Sequence, residues 1–82
     1  MTQTREEILK AALNARVQEV MHYQINIDNY TLALDQIRAM SVSDREELAG
    51  FAEQLHGLLA SEKLEQKKAR VMLDVIRAQV EG

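Results

Sequence analysis

The sequence predicts an all-α protein: a long antiparallel two-helix hairpin, coiled-coil-like, that dimerises into a four-helix bundle. Three observations carry this reading. The 82 residues hold no Pro and only 3 Gly, so few positions force the chain out of a helix. Apolar residues recur at alternating spacings of three and four along both halves. One convincing break, Met40-Ser41-Val42-Ser43, separates the halves. Residues 1–82 thus form a single domain, with one helix over about 4–40, a turn at 41–43 and a second helix over about 44–80.

The first helix opens at Thr4-Arg5-Glu6-Glu7, a capping box in which the Thr4 hydroxyl accepts from the Glu7 amide. Leu13, Val20, Ile27 and Leu34 then recur every seven residues, and Leu9, Tyr23, Tyr30 and Ile37 fill the interleaved positions. Only Arg16 interrupts this seam. The stretch Gln24–Thr31 is rich in β-branched residues and Asn, which are mediocre helix formers. The seven-residue repeat nevertheless crosses it without a slip, so a continuous helix is expected. A three-helix bundle broken near Asn29 is the alternative.

A turn as short as 41–43 makes the two helices antiparallel neighbours. Ser43-Asp44-Arg45-Glu46 offers a second capping box, with Asp44, Glu46 and Glu47 suited to the positive end of the helix dipole. Leu48, Ala52, Leu55 and Leu59, then Ala69, Leu73, Ile76 and Val80, continue the seam. Glu62 and Gln66 weaken its middle. Gly82 suits the helix end. At about 1.5 Å per residue each helix would be on the order of 55 Å long.

More apolar residues are present than one seam uses. Ile25 and Leu32 on the first helix, and Leu64 and Val71 on the second, lie off it. Phe51, Leu58 and Met72 flank it. Two apolar faces per helix imply more than one neighbour. A twofold dimer is the simplest solution, and another protein is the other occupant considered. Ile25, Leu32, Leu64 and Val71, with Tyr23, Tyr30 and Phe51 as anchors, are the predicted interface, so a charge at Ile25 or Leu32 is expected to disrupt assembly. Gly50 and Gly57, seven apart, are read as permitting close helix approach near Phe51.

Folding the chain at Val42 brings Arg16 level with Gln66–Ala69 and Tyr23 level with Glu62. Arg16, Glu62 and Gln66 would then form one polar layer in the seam. Such a layer is tolerated only if fully paired, and its role would be to set register.

The composition excludes several function classes. The absence of Cys removes disulfide scaffolds, thiolate metal sites and thiol nucleophiles. No apolar run is long enough for a membrane span and no signal peptide opens the chain, so a soluble, cytoplasmic protein is expected. Gly50, Gly57 and Gly82 are isolated and make no phosphate loop, and Ser41 and Ser43 are best used at the turn and cap. No enzyme and no cofactor are expected.

Two other constellations carry alternatives. Glu-x-x-His occurs as Glu19/His22 and as Glu53/His56, the spacing that ferritin-like di-metal bundles place on one helix face. Glu62 or Glu65 would have to complete the site around His22. His22 lies off the predicted seam, however, and His56 falls two or three turns away. Lys63, Lys67, Lys68 and Arg70 form the densest basic cluster, which would suit nucleic acid. Glu62 and Glu65 interrupt it, and the net charge is -3, so Glu–Lys pairs on a solvated face are the simpler reading.

In size, charge and hairpin pattern the chain resembles the short helical accessory proteins of tailed phages and prophages. The resemblance spans the whole chain. It implies a non-enzymatic protein that binds and modulates a host or phage component. The residues point the same way, to a structural or regulatory protein–protein interaction module.

Overall fold

A computed structural model describes residues 2–82. It contains α1 (Arg5–Arg38), α2 (Val42–Glu47) and α3 (Ala49–Glu81), with α1 and α3 packed antiparallel along their lengths. The hairpin measures 62 × 21 × 16 Å.

α1 begins where the sequence places it, with the Thr4 hydroxyl accepting from the Glu7 amide at 3.2 Å. It runs unbroken through Gln24–Thr31, and the side chains of that stretch explain how. Gln24 donates to Asp28 Oδ1 at 2.9 Å, one turn on. The Thr31 hydroxyl donates to the Ile27 carbonyl at 2.8 Å. Ile27 is itself buried against α3. Tertiary burial thus overrides weak propensity here.

The connection differs from the predicted turn. α1 ends without a left-handed residue, the Ala39 amide being shared between the Asp35 and Gln36 carbonyls. The cap of the next helix is Ser41 and not Ser43: its hydroxyl accepts from the Asp44 amide at 3.3 Å. Ser43 lies inside α2. The second helical segment is also divided at Leu48, whose backbone (φ −97°, ψ 6°) departs from helix. Hydrogen bonding continues across the break, from the Leu48 amide to Asp44 and from the Ala52 amide to Leu48. The Leu48 side chain packs on the cluster of Leu34, Ile37 and Leu55, along with Tyr30, Ala33, Ala52 and Leu59.

The seam follows the three-four pattern residue by residue. Ile27, Leu34 and Ile37 on α1, and Leu55, Ala69, Leu73 and Ile76 on α3, are buried. Leu9, Leu13, Val20, Tyr23, Tyr30, Leu48, Ala52, Leu59 and Val80 are half-buried at the intervening levels. Among the described residues no large side chain is fully shielded from solvent. A two-helix hairpin has only one line of contact, so each seam residue keeps one side open.

The expected polar layer does not assemble as one unit. Gln66, 8% exposed, donates to the Val20 carbonyl at 3.2 Å and to Gln24 Oε1 at 3.0 Å. Glu62 accepts from Asn26 at 3.3 Å. Arg16 turns along its own helix to Glu19, at 2.7 Å. Mid-hairpin partners therefore lie further along α1 than folding at Val42 predicts, whereas Arg5 and Gln79 meet at the predicted level at the open end. Gly50 and Gly57 do not mediate close approach either: a Cβ at either position would meet nothing within 4 Å.

Candidate functional site

Two flanks and two outer faces are available for function, and the seam defines them. In seven-residue terms one flank carries Ala12, Glu19, Asn26, Ala33 and Met40 from α1 beside Phe51, Leu58, Glu65, Met72 and Gln79 from α3. The bond from Arg5 to Gln79 Oε1 at 3.0 Å closes this flank at the open end. The opposite flank carries Lys10, Val17, Gln24, Thr31 and Arg38 beside Ala49, His56, Lys63, Arg70 and Arg77. The Gln24–Gln66 contact lies on that side.

The predicted interface residues fall into separate places. Ile25 and Leu32 lie on the outer face of α1, pointing away from α3, and Leu64 and Val71 lie on the outer face of α3, pointing away from α1. All four are 54–64% exposed. In an antiparallel pair these faces are opposite, so the four side chains make two separate stripes and no common patch. Tyr23 and Tyr30 belong to the seam, where both are half-buried. Phe51 lies on the first flank with Leu58 and Met72, the three being 44–49% exposed and aligned at seven- and fourteen-residue intervals. The sequence signal for this line was the same repeat that marks the seam, displaced by one position.

The charged residues divide unevenly. All ion pairs among the described residues are within one helix: Lys10–Glu6, Arg16–Glu19, Arg38–Asp35, Lys68–Glu65 and Arg77–Asp74. Such exposed pairs stabilise little. Lys63, Lys67 and Arg70 have no acidic partner among the described residues, and their spacing puts them on one side of α3. The proposed basic cluster thus reduces to these three, since Lys68 is held by Glu65 at 3.0 Å. Tyr23 stands near the acidic middle of the other flank. Partial burial, then the charges of Glu19, Glu65 and Glu62, push its hydroxyl above the ordinary tyrosine value, while Lys68 acts in the opposite sense.

Among the described residues no three His, Asp or Glu side chains are placed to share a metal ion. Glu19, the carboxylate paired with His22 in the di-metal reading, is occupied by Arg16. Glu53 and His56 are exposed at a different level of the hairpin. No cavity or cleft forms among the described residues. What the molecule offers chemically is therefore surface: apolar lines, one flank of balanced charge and one flank with unpaired cations. No described helix is long and apolar enough to cross a membrane.

Comparison with known proteins adds no assignment: no family model, no curated protein and no solved structure matches the chain.

Proposed function

We propose that the protein is a non-enzymatic helical interaction module that works as a self-associated hairpin, two copies forming a four-helix bundle. The observation that carries this is the exposed surface. The chain exposes 6155 Å², whereas a compact monomer of its 9.3 kDa exposes roughly 5000 Å². The excess, about 1200 Å², is comparable to what one partner contributes to a standard stable interface, about 800 Å². The shape agrees: the radius of gyration is 18.5 Å, against about 12 Å for a compact domain of this length. A second hairpin laid along the first would cover half-open seam residues and complete a core that one hairpin leaves shallow.

Absolute solution mass by light scattering on a sizing column tests this. A mass near twice 9.3 kDa is expected. A single-chain mass at micromolar concentration would overturn self-association and leave the apolar lines to another protein.

A second reading is favoured by one observation, the unpaired Lys63, Lys67 and Arg70 on one side of α3. Contact with nucleic acid phosphates through these three would give salt-sensitive retention on DNA or RNA. Retention unchanged when all three are replaced by Gln would end that reading.

A further inference from the structure

We infer that the second copy docks on the flank carrying Phe51, Leu58 and Met72, and that the flank carrying Lys63 and Arg70 faces outward. This rests on the self-association proposed above and names the surface that performs it.

Charge separates the two flanks. The flank of His56, Lys63, Arg70 and Arg77 with Lys10 and Arg38 has no acid at its own seven-residue positions. Lys10, Arg38 and Arg77 bring Glu6, Asp35 and Asp74 from neighbouring positions, but Lys63 and Arg70 bring no acid, so a copy docked on this edge would cover two cations without a partner, which is costly. The other flank is balanced. Glu19 and Glu65 each bring a cation, Arg16 at 2.7 Å and Lys68 at 3.0 Å, and the remaining charges, Glu62 bonded to Asn26 and Arg5 bonded to Gln79, are of opposite sign, so two copies add no net charge there.

Shape points to the same flank. α3 presents Phe51, Leu58 and Met72, all half-exposed, whereas α1 presents the small side chains Ala12 and Ala33 beside them. Large residues on one helix and small ones on the other give knobs and hollows. With α3 of one copy laid against α1 of the next, Phe51 and Leu58 flank the partner's Ala33, and Met72 meets the region of the partner's Ala12. Nearest neighbours in that bundle run antiparallel, as in up-down-up-down bundles.

The outer stripes are poorer candidates. Ile25 with Leu32, and Leu64 with Val71, lie on opposite faces, so one twofold contact covers one stripe and leaves the other exposed. The flank is also continuous with the half-open side of the seam that carries Tyr23, Tyr30 and Leu48, so docking there buries these three further, which docking on an outer stripe cannot do.

The experiment compares Leu58→Glu with Leu32→Glu in the full chain, reading solution mass and far-UV circular dichroism. Leu58→Glu is expected to halve the mass with its helices retained, and Leu32→Glu to remain dimeric. A dimeric Leu58→Glu, or a monomeric Leu32→Glu, overturns the assignment of the flank. A wild-type chain that is itself monomeric would instead overturn the self-association reading. If Leu58→Glu does not fold, Leu58→Ala takes its place and should raise the dimer dissociation constant at least about tenfold, in keeping with a central apolar anchor. No change in that constant counts against the proposal.

Discussion

Among the described residues Gln66 is the one polar side chain buried in the seam, and replacing it separates packing from hydrogen bonding. Its amide nitrogen makes two bonds across the hairpin, to the Val20 carbonyl and to Gln24 Oε1. Each such bond contributes about 0.5–1.5 kcal/mol net, so roughly 2 kcal/mol is at stake. Neither acceptor is orphaned by its loss. The Val20 carbonyl keeps its bond within α1, from the amide one turn on, and Gln24 is exposed to water. Gln66→Leu returns most of the loss through apolar burial, about 1.5–3 kcal/mol for a fully buried side chain and less here because the Gln stem is already buried. The variant is therefore expected within about 1 kcal/mol of wild type. Gln66→Ala loses the two bonds and the packing of the Cγ methylene at about 0.8 kcal/mol, a total of about 3 kcal/mol. Urea unfolding followed by far-UV circular dichroism measures both, at fixed protein concentration because a dimer's stability depends on it. If Gln66→Leu loses as much as Gln66→Ala, the amide is not exchangeable for apolar volume. A loss that large would mean that the Val20 carbonyl or Gln24 is left without a partner.

Other expectations follow from single residues. Leu55→Ala removes the most buried leucine of the cluster at the turn end and should cost about 2–4 kcal/mol, read as a lower urea midpoint; a loss below about 1 kcal/mol would mean the seam is not the core. Ser41→Ala should cost about 0.5–2 kcal/mol while Ser43→Ala costs almost nothing, and the reverse order would restore the cap to Ser43. Gly57→Ala, at an open helical position, should stabilise by about 0.5–1 kcal/mol, and a loss of stability would show that another chain packs closely on that outer face. Tyr23 holds its proton more tightly in the folded chain than in the unfolded one. Its contribution is thus fully present below the unfolded value of about 10 and is lost as pH rises through the folded value. Wild type should therefore lose more of its urea midpoint than Tyr23→Phe between about pH 9 and about pH 11. Equal losses would remove Tyr23 from the alkaline transition.

The sequence by itself determined the helical class, the antiparallel hairpin and the seam. A repeat that alternates three and four, carried from Leu9 to Ile37 and again from Leu48 to Val80, commits one stripe of each helix to a partner helix. Periodicity is a local property of a helix, which is why it was legible even across the weak formers of Gln24–Thr31. The Thr4 cap was legible for the same reason. The connection was not, because Ser41 and Ser43 both stand three residues before a carboxylate; in the folded chain Ser41 is the cap, and Leu48 packs on Leu34, Ile37 and Leu55. α2 accordingly occupies the connection. The polar partners were not legible either: Gln66 found Val20 and Gln24, Glu62 found Asn26, and Arg16 turned back to Glu19. The candidate surface divided in the same way. Which residues lie off the seam could be counted in the sequence, but two stripes on two helices share a face only if the helices are rotated to bring them together. The tertiary structure set that rotation. It turned Ile25 and Leu32 away from Leu64 and Val71, and left Phe51, Leu58 and Met72 together on one flank, because each helix can aim only one stripe at the other.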